Sequence, residues 1–171
     1  MIYKHVFFDL DRTLWDFEAN SYETLLEIYK IYKLKDKGIS DYKEFISIYK
    51  YHNSELWKLY RINKISQQEL RRERFQRTLL HFSIDDFFLS EEIGEAYVEK
   101  CPRKTKLFPF TIEVLDYLHK KYFLHIITNG FDKTQRIKLE CANLKYYFAN
   151  IFTSEQTGFK KPSPEIFDSA L

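Results

Sequence analysis

The chain has 171 residues, of which 44% are hydrophobic and 30% charged, a balance that is typical of an ordinary soluble globular protein. Its net charge of +2 gives no indication of the basic surface that binding to a nucleic acid polymer requires. No segment approaches the roughly 18 consecutive apolar residues of a membrane span, and the two cysteines lack the spacing of a zinc site or a disulfide framework, so we expect a reduced, cytoplasmic protein.

The chain begins with a predicted strand over residues 2–8, a short run rich in β-branched and aromatic residues that ends at an acid. Residues 17–100 then have the apolar periodicity of helices. Four helices are predicted there, beginning near Phe17, Asp41, Ser66 and Ser90, and the third opens with a Ser-x-x-Glu capping box.

Helices and strands alternate after residue 100. We expect a helix over 111–122, a strand over 123–130, a helix over 132–144, a strand over 150–156 and a helix from 163 onward. Strands that alternate with helices predict an α/β fold with a parallel sheet and right-handed crossovers. The predicted core therefore comprises residues 1–16 and 101–171, and residues 17–100 form an all-helical insert after the first strand.

A group of polar residues ends or follows each predicted strand. The groups are Asp-Leu-Asp-Arg-Thr at 9–13, Thr-Asn-Gly at 128–130 and Lys-Lys-Pro at 160–162. Because ligands bind beyond the carboxyl ends of parallel strands, we expect the three groups to meet at one edge of the sheet. Carboxylates bind Mg²⁺, whereas hydroxyl, backbone N–H and ammonium groups bind an anion, so the combination predicts a site for phosphate bridged to Mg²⁺.

The two acids of the first group indicate phosphoryl transfer. Asp9, at the end of the strand, can attack phosphorus and form an aspartyl-phosphate. Asp11 lies two residues later and points the same way in an extended chain. It can therefore protonate the leaving oxygen and then take a proton from water.

The segments FFDLDRTL, IITNGF and GFKKPSPEIF resemble, in order and spacing, the first three motifs of the haloacid dehalogenase (HAD) superfamily. The helical insert resembles the C1 cap of that superfamily. This resemblance implies a Rossmann-like core, a Mg²⁺ cofactor and hydrolysis of a phosphomonoester through an aspartyl-phosphate. Further segments, including ELWKLYRINKIS and YYFANIFTSEQTG, resemble the branch of 5′-nucleotidases that act on pyrimidine and noncanonical nucleoside monophosphates.

The resemblance also implies roles for single residues. Asp9 would be the nucleophile and a Mg²⁺ ligand, and Asp11 would be the general acid and base and would offer its backbone carbonyl to the metal. Lys161 would neutralise charge in the transition state, and the Lys-Pro step favours it over Lys160. The expected phosphate-binding residues are Thr13, which helps to fix the loop, and Thr128, Asn129 and Gly130.

Asp11 favours a phosphatase over a dehalogenase, because a halide leaving group needs no proton. The expected substrate is a small phosphorylated metabolite, and nucleoside monophosphates are the leading candidates. A sugar-phosphate mutase would use the same residues and remains an alternative, as does a phosphate-binding or interaction module with impaired catalysis. The sequence indicates no oligomeric state.

The fourth motif of the superfamily, a pair of acids that completes the Mg²⁺ site, has no counterpart in these residues. We therefore expect a core that is truncated at its C-terminus, as a fragment of a longer protein, and a weakened metal site in this chain alone. No other metal ligands are indicated. His5 and His125 lie among apolar residues of predicted strands, so we expect them to be hydrogen-bonded core residues.

Four residues beside the motifs have open roles. Arg12 either points to solvent or meets the substrate. The aromatic residues Trp15, Phe17 and Phe131 flank the first two motifs. Aromatic side chains are most often core residues, but one or two of these three are candidates to stack on the base of a substrate.

Overall fold

The structure, a computed structural model, describes residues 3–171 of the chain. In chain order its elements are β1 (His5–Phe8), α1 (Phe17–Ile31), α2 (Tyr42–Arg61), α3 (Gln67–His81), α4 (Phe87–Lys100), α5 (Thr111–His119), β2 (Phe123–Thr128), α6 (Asp132–Cys141), β3 (Phe148–Thr153), α7 (Ser154–Thr157) and α8 (Pro164–Asp168). The chain divides into an α/β unit of residues 3–20 and Pro102–Leu171 and a helical unit of Ser21–Cys101.

The α/β unit contains a three-stranded sheet in the order β1-β2-β3. Both pairs of strands are parallel, with Phe8 opposite Ile126 and Thr128 opposite Thr153. The central strand β2 is buried along five of its six residues, which explains its nearly continuous apolar sequence. The predicted parallel sheet is thus confirmed, and the residues that follow β1 and β2 lie at the same edge of it.

A tight turn follows β1. The carbonyl oxygen of Leu10 accepts hydrogen bonds from the N–H groups of Thr13, Leu14 and Trp15 at 3.3, 3.0 and 2.9 Å. The side chains of Leu10 and Trp15 are fully buried. Arg12 adopts a left-handed conformation with φ of 65°, which lets the chain reverse within the turn. The turn therefore fixes the backbone around both acids of the first motif.

The helical unit confirms the predicted capping box. Ser66 accepts a hydrogen bond from the N–H of Glu69, and Glu69 accepts one from the N–H of Ser66. Helix α4 begins at Phe87, three residues before the predicted Ser90, because the side chain of Asp86 caps it. Among residues 3–171, none of the helices combines the length and the apolar composition that a membrane span requires.

Aromatic side chains form the core of the helical unit. The rings of Tyr49 and Phe75 lie 4.8 Å apart, and the ring of Tyr97 lies 5.3 Å from that of Tyr49. The guanidinium of the buried Arg74 lies 4.6 Å from the centre of the Tyr97 ring, which offsets part of the cost of burying its charge. Burial raises the pKa of Tyr49 to about 12.

The boundaries of all three strands differ from the prediction, and β2 ends at Thr128 instead of residue 130. Strand β3 covers Phe148–Thr153 instead of 150–156, because the hydroxyl of Thr153 accepts a hydrogen bond from the N–H of Gln156 and starts a short helix. Strand β1 begins at His5, whereas the prediction began at residue 2, which lies outside the described residues.

Candidate active site

The ammonium of Lys161 lies against the carboxylate of Asp9. Its Nζ donates to Asp9 Oδ1 at 2.5 Å and to the carbonyl of Ile127 at 2.8 Å. The hydroxyl of Thr13 donates to the other carboxylate oxygen of Asp9 at 3.3 Å. The Asp9 side chain stays 37% exposed, so a ligand can approach it. The structure thus brings together residues from the first and third predicted groups at the end of β1.

Asn129 holds Lys161 in place through the backbone. Its side-chain amide donates to the carbonyl of Lys161 at 2.9 Å, and its side-chain oxygen accepts from the N–H of Lys161 at 2.6 Å. The hydroxyl of Ser154 donates to the backbone carbonyl of Asn129 at 3.1 Å. Both polar atoms of the Asn129 side chain therefore contact the backbone of Lys161, and the role of Asn129 in phosphate binding stays a prediction.

Thr128 and Gly130 form a compact turn at the end of β2. The hydroxyl oxygen of the buried Thr128 accepts a hydrogen bond from the N–H of Gly130 at 3.0 Å. A Cβ at residue 130 would lie 1.6 Å from Nε2 of Gln135, so a side chain here would displace Gln135. The side chain of Gln135 therefore explains why residue 130 is a glycine.

The carboxylate of Asp11 contacts two residues of α6 that the sequence analysis did not identify. Nζ of Lys138 donates to Asp11 Oδ1 at 2.6 Å, and Nε2 of Gln135 donates to Asp11 Oδ2 at 2.9 Å. Residues three apart share a helix face, so a Gln and a Lys at this spacing after the Thr-Asn-Gly group were the available signal. The ammonium of Lys138 also lies 4.4 Å from the centre of the Trp15 ring.

The aromatic candidates for base stacking differ in their exposure. Trp15 is 0% exposed and Phe131 is 7% exposed, so neither offers a ring face to a substrate. Phe17 is half-buried, and the guanidinium of Arg12 lies 4.7 Å from the centre of its ring. Arg12 also forms an ion pair with Glu18 at 2.8 Å, which accounts for its charge without a ligand.

The oxygen donors of the site fit a shared Mg²⁺ site. Among residues 3–171 no three His, Cys, Asp or Glu side chains are grouped closely enough to hold a metal ion by themselves. Mg²⁺ commonly keeps several waters and binds one or two carboxylates together with a substrate phosphate. The partly exposed carboxylate of Asp9 suits that arrangement, whereas the carboxylate of Asp11 is engaged by α6, and the resemblance implies its backbone carbonyl as the donor.

Comparisons with known proteins identify the family of the chain. Residues 3–171 match the model of the haloacid dehalogenase-like hydrolase family. The chain is 33% identical over 171 residues to the pyrimidine 5′-nucleotidase PynA of Streptococcus pneumoniae, covering 98% of this chain and 68% of that protein. It is 30% identical over 166 residues to the pyrimidine 5′-nucleotidase YjjG of Escherichia coli, covering 97% of this chain and 69% of that protein.

A solved structure shares both fold and sequence with the chain. The HAD-hydrolase YfnB of Bacillus subtilis, described as bound to magnesium, matches with a TM-score of 0.86 and 27% identity, covering 98% of this chain and 72% of that one. The family model matches nearly the whole chain, and the two relatives are at least 30% identical to it over nearly its full length. The chain therefore belongs to the haloacid dehalogenase-like hydrolases.

Proposed function

We propose that this hydrolase is a Mg²⁺-dependent phosphatase of small phosphomonoesters, with nucleoside 5′-monophosphates first, and that Asp9 is its nucleophile. The observation that carries the proposal is the 2.5 Å contact between the Lys161 ammonium and the partly exposed Asp9 carboxylate at the end of β1. The relatives PynA and YjjG, named as pyrimidine 5′-nucleotidases, support the choice of substrate.

In the first step a carboxylate oxygen of Asp9 attacks phosphorus. A bond forms between that oxygen and phosphorus while the bond from phosphorus to the ester oxygen breaks. Asp11 gives a proton to the departing oxygen, so that the nucleoside leaves as an alcohol. In the second step water attacks the phosphorus of the aspartyl-phosphate, Asp11 takes a proton from that water, and Asp9 is released with inorganic phosphate.

The surrounding residues stabilise the charge that develops on the phosphoryl oxygens. Lys161 brings a fixed positive charge to Asp9, which costs no reorganisation at the moment of reaction. Thr13 orients the carboxylate of Asp9 through its hydrogen bond. We assign Asn129 a positioning role, because its side chain holds the backbone of Lys161. Mg²⁺, held by Asp9 and the carbonyl of Asp11, would supply further positive charge to the phosphoryl group.

The helical unit is proposed to be the cap that the family resemblance implies. It is inserted between the first and second motifs, as a C1 cap is, and it has its own aromatic core around Tyr49 and Phe75. We assign substrate selectivity to this unit and phosphoryl transfer to the α/β unit, since the acids and Lys161 all lie in the latter.

The proposal is tested by phosphate release from purified protein with a panel of pyrimidine and purine nucleoside monophosphates. We expect release that requires Mg²⁺, stops with EDTA and is lost in Asp9→Asn. Asp168→Asn is the matched control, because Asp168 is an exposed acid of the same unit. Turnover that persists in Asp9→Asn would overturn the nucleophile, and turnover that needs an added sugar bisphosphate would indicate a mutase.

A further inference from the structure

Two side chains of α6 engage both oxygens of the Asp11 carboxylate. Lys138 donates to Oδ1 at 2.6 Å and Gln135 donates to Oδ2 at 2.9 Å. We call these two residues the Asp11 brace. A carboxylate has about four lone-pair positions, so the Asp11 brace occupies two and leaves the others available for proton transfer. The orientation of Asp11 is thereby fixed without blocking the chemistry proposed for it.

Lys138 lies in the protein interior, where a charged side chain needs a partner that compensates its charge. Its side chain is 6% exposed, and a buried ammonium is costly unless it is paired. Its described partners are Asp11, the ring of Trp15 at 4.4 Å and the ring of Phe17 at 5.9 Å. A hydrophobic residue would fill this interior position at lower cost, so stability alone does not account for the lysine.

Gln135 gives an independent indication of the same kind. It is buried, and its Oε1 has no hydrogen-bond partner among the described residues while its Nε2 reaches Asp11. Its side chain also crosses the space where a Cβ of residue 130 would lie, at 1.6 Å from Nε2. A buried oxygen without a hydrogen-bond partner is unfavourable, and a side chain that leaves room only for glycine at residue 130 restricts the sequence there. Neither feature is expected of an ordinary core residue. Both are explained if the amide is directed at Asp11.

We propose that Gln135 and Lys138 are positioning residues that hold Asp11 for proton transfer to the leaving group. This inference rests on the proposed function, because it concerns the residue that is assigned there as the general acid. Loss of this positioning is expected to affect different substrates to different extents. A nucleoside is a poor leaving group that needs the proton from Asp11, whereas 4-nitrophenolate departs without one. Loss of the Asp11 brace therefore affects the nucleotide far more than the aryl phosphate.

The test compares kcat/KM for a nucleoside monophosphate and for 4-nitrophenyl phosphate, because kcat/KM includes only the steps up to departure of the first product. The variants are Lys138→Met, Gln135→Leu and Lys138→Arg, with Lys133→Met as the matched control on the exposed side of α6. General acid catalysis contributes about 10²- to 10⁴-fold, so we expect Lys138→Met to lower the nucleotide value by about 10- to 100-fold and the aryl value by less than about threefold. Lys138→Arg keeps the charge and is expected to restore part of the loss.

A second measurement separates positioning from a general loss of structure. In an Asp11→Asn background, Lys138→Met and Gln135→Leu are expected to cause no further loss for the nucleotide, because they act through Asp11. Thermal unfolding of each variant shows whether the fold is retained. If Lys138→Met does not fold, Gln135→Leu is the variant that tests the positioning role. Equal losses for both substrates, an unchanged or raised nucleotide value, or a full additional loss in Asp11→Asn would overturn the inference.

The two proposals fail in different ways. If wild-type protein releases phosphate from neither substrate, or if Asp9→Asn remains active, the proposed function fails. If the wild type and Asp9→Asn behave as expected but the Asp11 brace variants do not distinguish the two substrates, only the positioning role fails.

Discussion

Lys161 and Asp9 are 152 residues apart in sequence, and their side chains meet at 2.5 Å. The contact depends on the parallel sheet, because β1 delivers Asp9 and the segment after β3 delivers Lys161 to the same edge. Lys161 also donates to the carbonyl of Ile127 in β2, so its ammonium is fixed by the sheet itself. Of the adjacent Lys160 and Lys161, it is thus Lys161 whose ammonium contacts the carboxylate of Asp9.

Replacing Lys161 by Met is expected to lower kcat by about 10²- to 10³-fold, because a fixed charge at the phosphoryl group is removed. Lys160→Met is the matched comparison, since Lys160 is its neighbour and is not the lysine at Asp9. Phosphate release at saturating nucleotide measures both variants. Equal losses in the two would contradict the assignment of Lys161.

Replacing Asn129 by Ala removes two hydrogen bonds to the backbone of Lys161. Each is worth about 0.5–1.5 kcal/mol, so we expect the free energy of unfolding to fall by about 1–3 kcal/mol, together with a loss of kcat. Urea unfolding and phosphate release measure the two effects. A variant of unchanged stability whose KM alone rises would instead indicate direct contact with the substrate.

Gly130→Ala is expected to destabilise the protein by about 1–3 kcal/mol, because the added methyl group collides with the side chain of Gln135. The double variant Gly130→Ala with Gln135→Ala removes the collision and is expected to recover most of that loss. Unfolding in urea provides the comparison. If the double variant is as unstable as the sum of the two single changes, the collision is not the cause.

Folding stability is expected to fall as the pH drops from 7 to 5, in part through His125. Burial and the nearby His5 lower the pKa of His125, so the folded protein favours the neutral ring. The groups facing it are His5 on β1 at 2.9 Å and the amide of Asn150 on β3 at 3.3 Å. The contribution is complete above the unfolded pKa of about 6.5 and is lost as the pH falls through the lower folded value.

The contribution of His125 can be measured directly. We expect the melting temperature of His125→Phe to depend less on pH between 7 and 5 than that of the wild type. His81→Gln is the control, because His81 is exposed and lies in the other unit. A wild-type slope that is retained in His125→Phe would assign the pH dependence to other groups.

The parallel sheet and the meeting of Asp9 with Lys161 could be predicted because both follow from topology. Alternating strands and helices place strand ends at one edge, whatever the side chains contact there. The Asp11 brace could not be predicted, because periodicity identifies a helix but not which of its polar residues faces a turn that lies 124 to 127 residues earlier. The contact between Asn129 and Lys161 could not be predicted for the same reason, since Lys161 lies in a loop without a periodic pattern.

Burial was harder to predict than secondary structure. Both His5 and His125 were expected in the core, and only His125 is buried, because β1 lies at the edge of the described sheet and β2 at its centre. Trp15 was a candidate for base stacking and is fully buried beneath Lys138. The sequence around Trp15 did not indicate this burial. It arises because the turn after β1 brings the N–H of Trp15 to the carbonyl of Leu10.

The position of Trp15 also makes it an optical reporter. The chain has two tryptophans, and the ammonium that contacts Asp11 lies over the indole of Trp15 at 4.4 Å. A charge at that distance perturbs the excited state of the ring, so any movement of Lys138 alters the emission of Trp15. In a Trp57→Phe background, stopped-flow fluorescence during a single turnover would therefore record whether the ion pair between Lys138 and Asp11 opens and closes.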